Sequence, residues 1–217
     1  MPLPIFSLVC HRDVDHTTSC LGSLIARCRD TITLTLFSDG SLTPEDTTSL
    51  HKALPTAKII SRKDADTLVL PALKDFPLCR KYREWCPWAL KLLDIPIYAQ
   101  ADFAYIDGDI LFLRDFTGLS AGAANIVSMR AYASIYSFSL RNRLALGSHT
   151  PVNSHVNAGF LFVRQAGFNL QLIERFLHQA EKHKRPFLWE QTAWAAMAAS
   201  WRRTSTSGSS RAASTWA

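Results

Sequence analysis

Asp107 and Asp109, separated only by Gly108, are the pair in this 217-residue chain best suited to hold a hard cation. They follow Asp102 to Ile106, an apolar stretch that reads as a strand, and two carboxylates so placed can face one ion. Glycine between them leaves room for a ligand to approach the backbone. Mg²⁺ or Mn²⁺ held by one or two carboxylates completes its shell with phosphate oxygens and water, which suits a diphosphate leaving group. A solvated Asp-Gly turn between two strands would carry the same triplet. The second apolar flank, Ile110 to Leu113, favours a buried strand end over a surface hairpin.

The elements that must position this pair alternate between two periods. Ile5 to Cys10 reads as a buried strand, followed by a polar turn from His11 to Asp15. Thr17 to Cys28 has helical spacing, with Leu21, Leu24, Ile25 and Cys28 on one face. Thr31 to Phe37 alternates threonine with apolar residues, as a strand does, and ends at Ser38-Asp39-Gly40. Thr43-Pro44-Glu45-Asp46 is a helix start, with a capping hydroxyl, an early proline and acids facing the dipole. Further strands are expected at Ala57 to Ser61, Asn125 to Met129 and Val156 to Val163. Helices are expected at Ala65 to Leu73, Leu78 to Leu93, Asn169 to Gln179 and Leu188 to Ala199. Such alternation predicts an α/β fold, a mostly parallel sheet with helices on both faces. In open sheets of this kind ligands bind at the carboxyl ends of strands, where His11, Asp39 and Asp107 fall.

Composition narrows the function. With 47% hydrophobic and 19% charged residues the chain is an ordinary globular protein, and no apolar run is long enough to span a bilayer. The start, Met-Pro-Leu-Pro-Ile-Phe, has no basic segment or cleavage site, so a cytoplasmic protein is expected, with a peripheral membrane position as the variant of that reading. Five cysteines without a Cys-x-x-Cys spacing read as buried thiols. A formal charge of +6 suits an acidic partner such as a nucleotide phosphate. No nucleic-acid module is present. The opening strand and helix lack Gly-x-Gly-x-x-Gly, which argues against a dinucleotide-binding domain. Residues 201–217, rich in Ser, Thr, Ala and Arg, are expected to form a disordered tail on a domain of residues 1–200.

The run Phe103 to Leu113 resembles the metal-binding segment of GT-A-fold glycosyltransferases, especially family 8 and related bacterial nucleotide-sugar transferases. The resemblance continues in order through Ser38 to Thr43, Tyr82-Arg83 with Lys91 to Asp94, Val156 to Phe160, and Glu190-Gln191. It covers roughly residues 3 to 199. It implies a GT-A-like sheet and transfer of a sugar from a nucleoside-diphosphate donor, UDP-sugars favoured, to a glycan, lipid or protein acceptor. It implies Mn²⁺ or Mg²⁺ on Asp107 and Asp109, with Asp107, Asp109 and Gln191 in catalysis. His11, Asp39, Arg83, Lys91, Asn157 and Glu190 are then expected to bind substrate. For Arg83 and Lys91 a helix-surface charge is the competing reading, and for Glu190 a first-turn acid facing the helix dipole. Trp85, Trp88, Trp189 and Trp194 could stack on sugars or pack half-buried.

The departure from the family pattern is downstream. Such enzymes supply a further metal ligand, often His, beyond the Glu-Gln helix, and no His, Asp or Glu follows Gln191. A truncated or frame-shifted product is the expectation this raises, and a catalytically impaired nucleotide-sugar-binding remnant is the alternative function. Haloacid-dehalogenase-like phosphatases also use two aspartates one residue apart. Theirs follow the first strand and precede Thr or Val, whereas this pair lies mid-chain before Ile110.

Overall fold

The structure is a computed structural model that describes residues 1–120, 124–132, 152–181 and 188–205, the last five of these as backbone alone. β1 (Leu3–Val9) and β2 (Ile32–Ser38) pair in parallel from Leu3–Ile32 to Val9–Ser38. β3 (Lys58–Ile60) lies outside β2, and β4 (Phe103–Ile106) lies on the other side of β1, both parallel. β5 (Ile126–Arg130) and β6 (Val156–Val163) complete a six-stranded sheet in the order β3-β2-β1-β4-β6-β5. β6 pairs antiparallel with both of its neighbours, so it alone opposes the common strand direction. The mostly parallel α/β fold expected from the sequence is the one observed.

The strand side chains divide between two cores. Phe6, Phe37, Phe103 and Tyr105 enter one, whereas Ile5, Leu36, Ala104 and Ile106 enter the other. That is the two-residue period of a sheet covered on both faces. α1 (Val14–Arg27) and α2 (Pro44–Ala53) cover the second face through Leu21, Leu24 and Leu50. The first is covered by α3 (Arg62–Ala72), α4 (Pro77–Trp85), α5 (Trp88–Leu92), α6 (Asp94–Ala99), α7 (Leu170–Ala180) and α8 (Trp189–Ser205).

Local chemistry sets the boundaries, and several differ from expectation. Thr43 and Asp46 form the capping box of α2, as the sequence suggested. An equivalent box, Ser61 with Asp64, starts α3 at Arg62, ahead of the expected Ala65. The helix expected from Leu78 to Leu93 is broken, because Pro87 cannot donate an amide and holds Cys86 extended. In α1 the buried stripe is Val14, Thr17, Cys20, Leu21 and Leu24, which leaves Ile25 exposed and Cys28 just past the end. All five cysteines are free thiols, with Cys20, Cys79 and Cys86 buried and Cys10 and Cys28 partly so. Ile110 to Leu113 form no strand, and Leu111 and Leu113 face solvent. The flank that favoured a buried strand end is therefore an exposed loop, anchored where Phe112 stacks on Phe116. α8 continues to Ser205, five residues into the expected tail; residues 206–217 lie outside the described residues.

Candidate functional site

A cleft of about 700 Å³ opens at the carboxyl ends of β1, β2 and β4. β1 delivers Cys10 and the turn into α1, β2 delivers Asp39, and β4 delivers Asp107 and Asp109. Because β6 runs against β4 and sets Phe160 beside Ile106, the beginning of β6 reaches the same edge. Asn157 and Gly159 thereby line the cleft, and the Asp107 amide donates to the Gly159 carbonyl at 2.7 Å. α5 supplies Trp88 and Lys91, and the first turn of α8 supplies Glu190 and Gln191.

Four side chains form one polar cluster in the cleft wall. Tyr105, two residues before Asp107 and so on the same strand face, donates its hydroxyl to Asp107 Oδ1 at 2.6 Å. Lys91 Nζ donates to both Asp107 oxygens, at 3.1 and 3.3 Å. It also stands 3.6 Å from Glu190 Oε1 and 4.4 Å from the centre of the Tyr105 ring. Lys91 and Glu190 are buried, whereas Asp107 keeps part of its carboxylate in the cleft. Burial pushes the Glu190 carboxyl up to about 7; Lys91 pulls it down and the Asp107 charge adds to the rise. Burial and the same Asp107 charge hold the Tyr105 hydroxyl well above its ordinary range, so it remains a proton donor. With both carboxylates ionised, one ammonium would serve two negative charges.

The donor set suits a hard cation. Gly159 leaves space before Asp107 Oδ2, since a Cβ there would stand 3.3 Å from that oxygen and 3.0 Å from Asn157 Oδ1. Asp109 is exposed on the same cleft. Among the described residues no group of three or more His, Cys, Asp or Glu gathers as a metal site. Two carboxylates with phosphate and water completing the shell are nonetheless the usual environment of Mg²⁺. The residues fit such an ion, with Asp109 and Oδ2 of Asp107 as the groups that would hold it.

Gly108 has a different reason from the ligand access expected of it. A Cβ at this position would stand 2.5 Å from Thr17 Oγ1 and 3.3 Å from Thr17 Cα, so α1 takes the space. Gly108→Ala is expected to lower stability by about 1–3 kcal/mol through overpacking. A urea midpoint equal to that of the native chain would show that α1 can move aside.

The remaining expected residues divide. Asp39 lines the cleft, but its Oδ1 accepts the amide (2.8 Å) and hydroxyl (2.6 Å) of Ser41. His11 turns its Nδ1 to Asp46, 2.7 Å away, beside the α2 capping box rather than into the cleft. The Thr43 amide, with the His11 ring behind it, holds the Asp46 carboxyl below its usual range. Arg83 is no helix-surface charge and does not line the cleft. Its guanidinium is buried in a double hydrogen bond to Asp94, at 2.8 and 2.7 Å. Trp194 and Trp189 are buried in packing, whereas Trp85 and Trp88 are 49% and 51% exposed. Tyr105 was passed over in the sequence, although its position two before Asp107 carried the signal.

Neither a protein-family model nor a curated protein matches the chain by sequence. Solved structures do match. Mouse xyloside xylosyltransferase 1 aligns over 91% of this chain and 81% of its own, with a TM-score of 0.59 and 11% identity. The mannosyltransferase Ktr4p from S. cerevisiae aligns over 90% and 65%, with a TM-score of 0.55 and 12% identity. The galactosyltransferase LgtC, solved with donor and acceptor sugar analogues, aligns over 88% and 70%, with a TM-score of 0.52 and 14% identity. At these identities the likeness establishes the fold, the GT-A fold of glycosyltransferases.

Proposed function

We propose that this cleft transfers a sugar from a nucleoside-diphosphate donor, a UDP-sugar first among those to test, to a glycan, lipid or protein hydroxyl. The observation that carries the reading is the joining of Asp107, Lys91 and Glu190 beside exposed Asp109, at the strand ends of a GT-A sheet. The binding of donor and acceptor sugar analogues by LgtC, a structural neighbour, supports it. Asp109 and Asp107 would hold Mn²⁺ or Mg²⁺, which neutralises charge developing on the leaving diphosphate. Lys91 holds the Asp107 carboxylate in place and screens it from Glu190. Asn157, Glu190 and Gln191, which line the same cleft, offer hydrogen bonds to donor and acceptor hydroxyls. Among the described residues no helix is long and apolar enough to cross a membrane. Five free thiols support a reducing compartment, the cytoplasm, with or without peripheral membrane contact.

The test is thermal stabilisation by UDP-, GDP- and TDP-sugars, with and without Mn²⁺. A ligand at 100 times its dissociation constant is expected to add about 2.7 kcal/mol, and Asp109→Asn is expected to lose the metal-dependent part. No shift with any nucleotide, from a cooperatively melting sample, would overturn the donor site. A shift without turnover on any acceptor would instead favour the nucleotide-sugar-binding domain that does not catalyse.

A further inference from the structure

We infer that the exposed face of α4 forms a docking subsite for one ring of an acceptor oligosaccharide, stacked on Trp85. The inference rests on the sugar-transfer reading of the neighbouring cleft and narrows its acceptor to a glycan. A second pocket, of about 210 Å³, lies between α4, α7 and the start of α8. Its wall is aromatic: Tyr82 to Trp85, Tyr82 to Trp189 and Trp85 to Trp189 have ring centres 5.4, 5.5 and 5.9 Å apart. This three-way packing fixes Trp85 while leaving it half exposed. On the lining, Lys81 Nζ and Glu181 Oε1 form an ion pair at 2.7 Å.

A pyranose ring matches these features. It has an apolar C–H face for an indole and a rim of hydroxyls for an ion pair. A lipid chain would leave the ion pair without a counterpart and desolvate it at a cost. The pocket is smaller than a drug-sized site, as a single ring requires. Position supplies the link to the cleft. Trp88, across Cys86-Pro87 from Trp85, lines the cleft, and Trp189 stands between Leu188 and Glu190, which line it too. Trp85 and Trp88 are also the half-exposed tryptophans among the described residues.

The test is saturation-transfer NMR of the full chain with disaccharides built from glucose, galactose, mannose, xylose and N-acetylglucosamine. At least one is expected to bind in the millimolar range. Trp85→Ala is expected to weaken that binding about tenfold, and Trp85→Phe to recover much of it. The nucleotide-dependent melting shift stays unchanged in both variants, because Trp85 does not line the cleft. Absence of disaccharide binding in a chain that shows the nucleotide shift would overturn the subsite. Equal affinity in Trp85→Ala would do the same. Trp85-dependent disaccharide binding without any nucleotide shift would support the subsite and sink the donor reading.

Discussion

Arg83→Met is expected to remove about 3–5 kcal/mol of folding stability, because it strands a buried carboxylate. Asp94 is 1% exposed and receives Arg83 Nε and Nη2 in a paired geometry; Arg83 is itself 4% exposed. Arg83 also pairs with Asp66 at 2.6 Å, and its carbonyl accepts from Arg62 Nη2 at 2.7 Å. Methionine fills much of the guanidinium's volume but leaves Asp94 to take up a proton or draw in water. Asp66, part exposed, reaches solvent and suffers less. Arg83→Met combined with Asp94→Leu is expected to recover most of the loss, since an apolar pair replaces a buried ionic one at little net change. Urea denaturation at neutral pH measures both. A single variant within about 1 kcal/mol of the native chain would show the pair to be hydrated. A donor-binding Arg83 would instead weaken the nucleotide-dependent shift in both variants while leaving stability nearly unchanged.

That contrast shows why Arg83 was harder to read than Lys91. Both are cations on the helical stretch before Asp107, and spacing alone gives them similar prospects. What separates them is the break at Pro87, which ends α4 and starts α5 in a new direction. Arg83 stays on α4 and meets Asp94 at the start of α6, whereas Lys91 is carried by α5 to Asp107. Proline's missing amide marks the break, although the sequence reading ran one helix through it, and the partner each new helix would find had no local mark. Strands were read well where both faces are buried: β6 was placed at Val156 to Val163, and β1 and β2 within two residues at each end. The antiparallel direction of β6, which brings Asn157 beside Asp107, is set by its pairing between β4 and β5 and has no local signal in the chain. Ile25 and Leu111 were misread for a common reason. An apolar residue marks a buried face only when another element comes to cover it, and the chain alone does not say which faces are covered.

The Glu190 carboxyl is expected to make stability fall with pH by about 3 kcal/mol between pH 4.5 and 7, relative to Glu190→Gln. Its ordinary value is 4.5, and burial raises it to about 7 in the fold, with Lys91 opposing and Asp107 assisting. Below 4.5 folded and unfolded chains both hold the proton, so the group contributes no slope. Between 4.5 and 7 the unfolded chain has released it and the folded chain has not, so each pH step favours unfolding. Above 7 both are ionised and the difference is constant. Glutamine keeps the shape but cannot titrate, so the difference between the two chains, plotted from urea midpoints against pH, isolates the contribution of this carboxyl. A pH-independent difference would mean that Lys91 already holds Glu190 ionised in the fold. The same titration governs the proposed chemistry. When protonated, Glu190 can donate a hydrogen bond to a sugar oxygen, and when ionised it only accepts. Turnover is therefore expected to carry a pH dependence in the native chain that Glu190→Gln lacks, because the amide holds one donor arrangement at every pH.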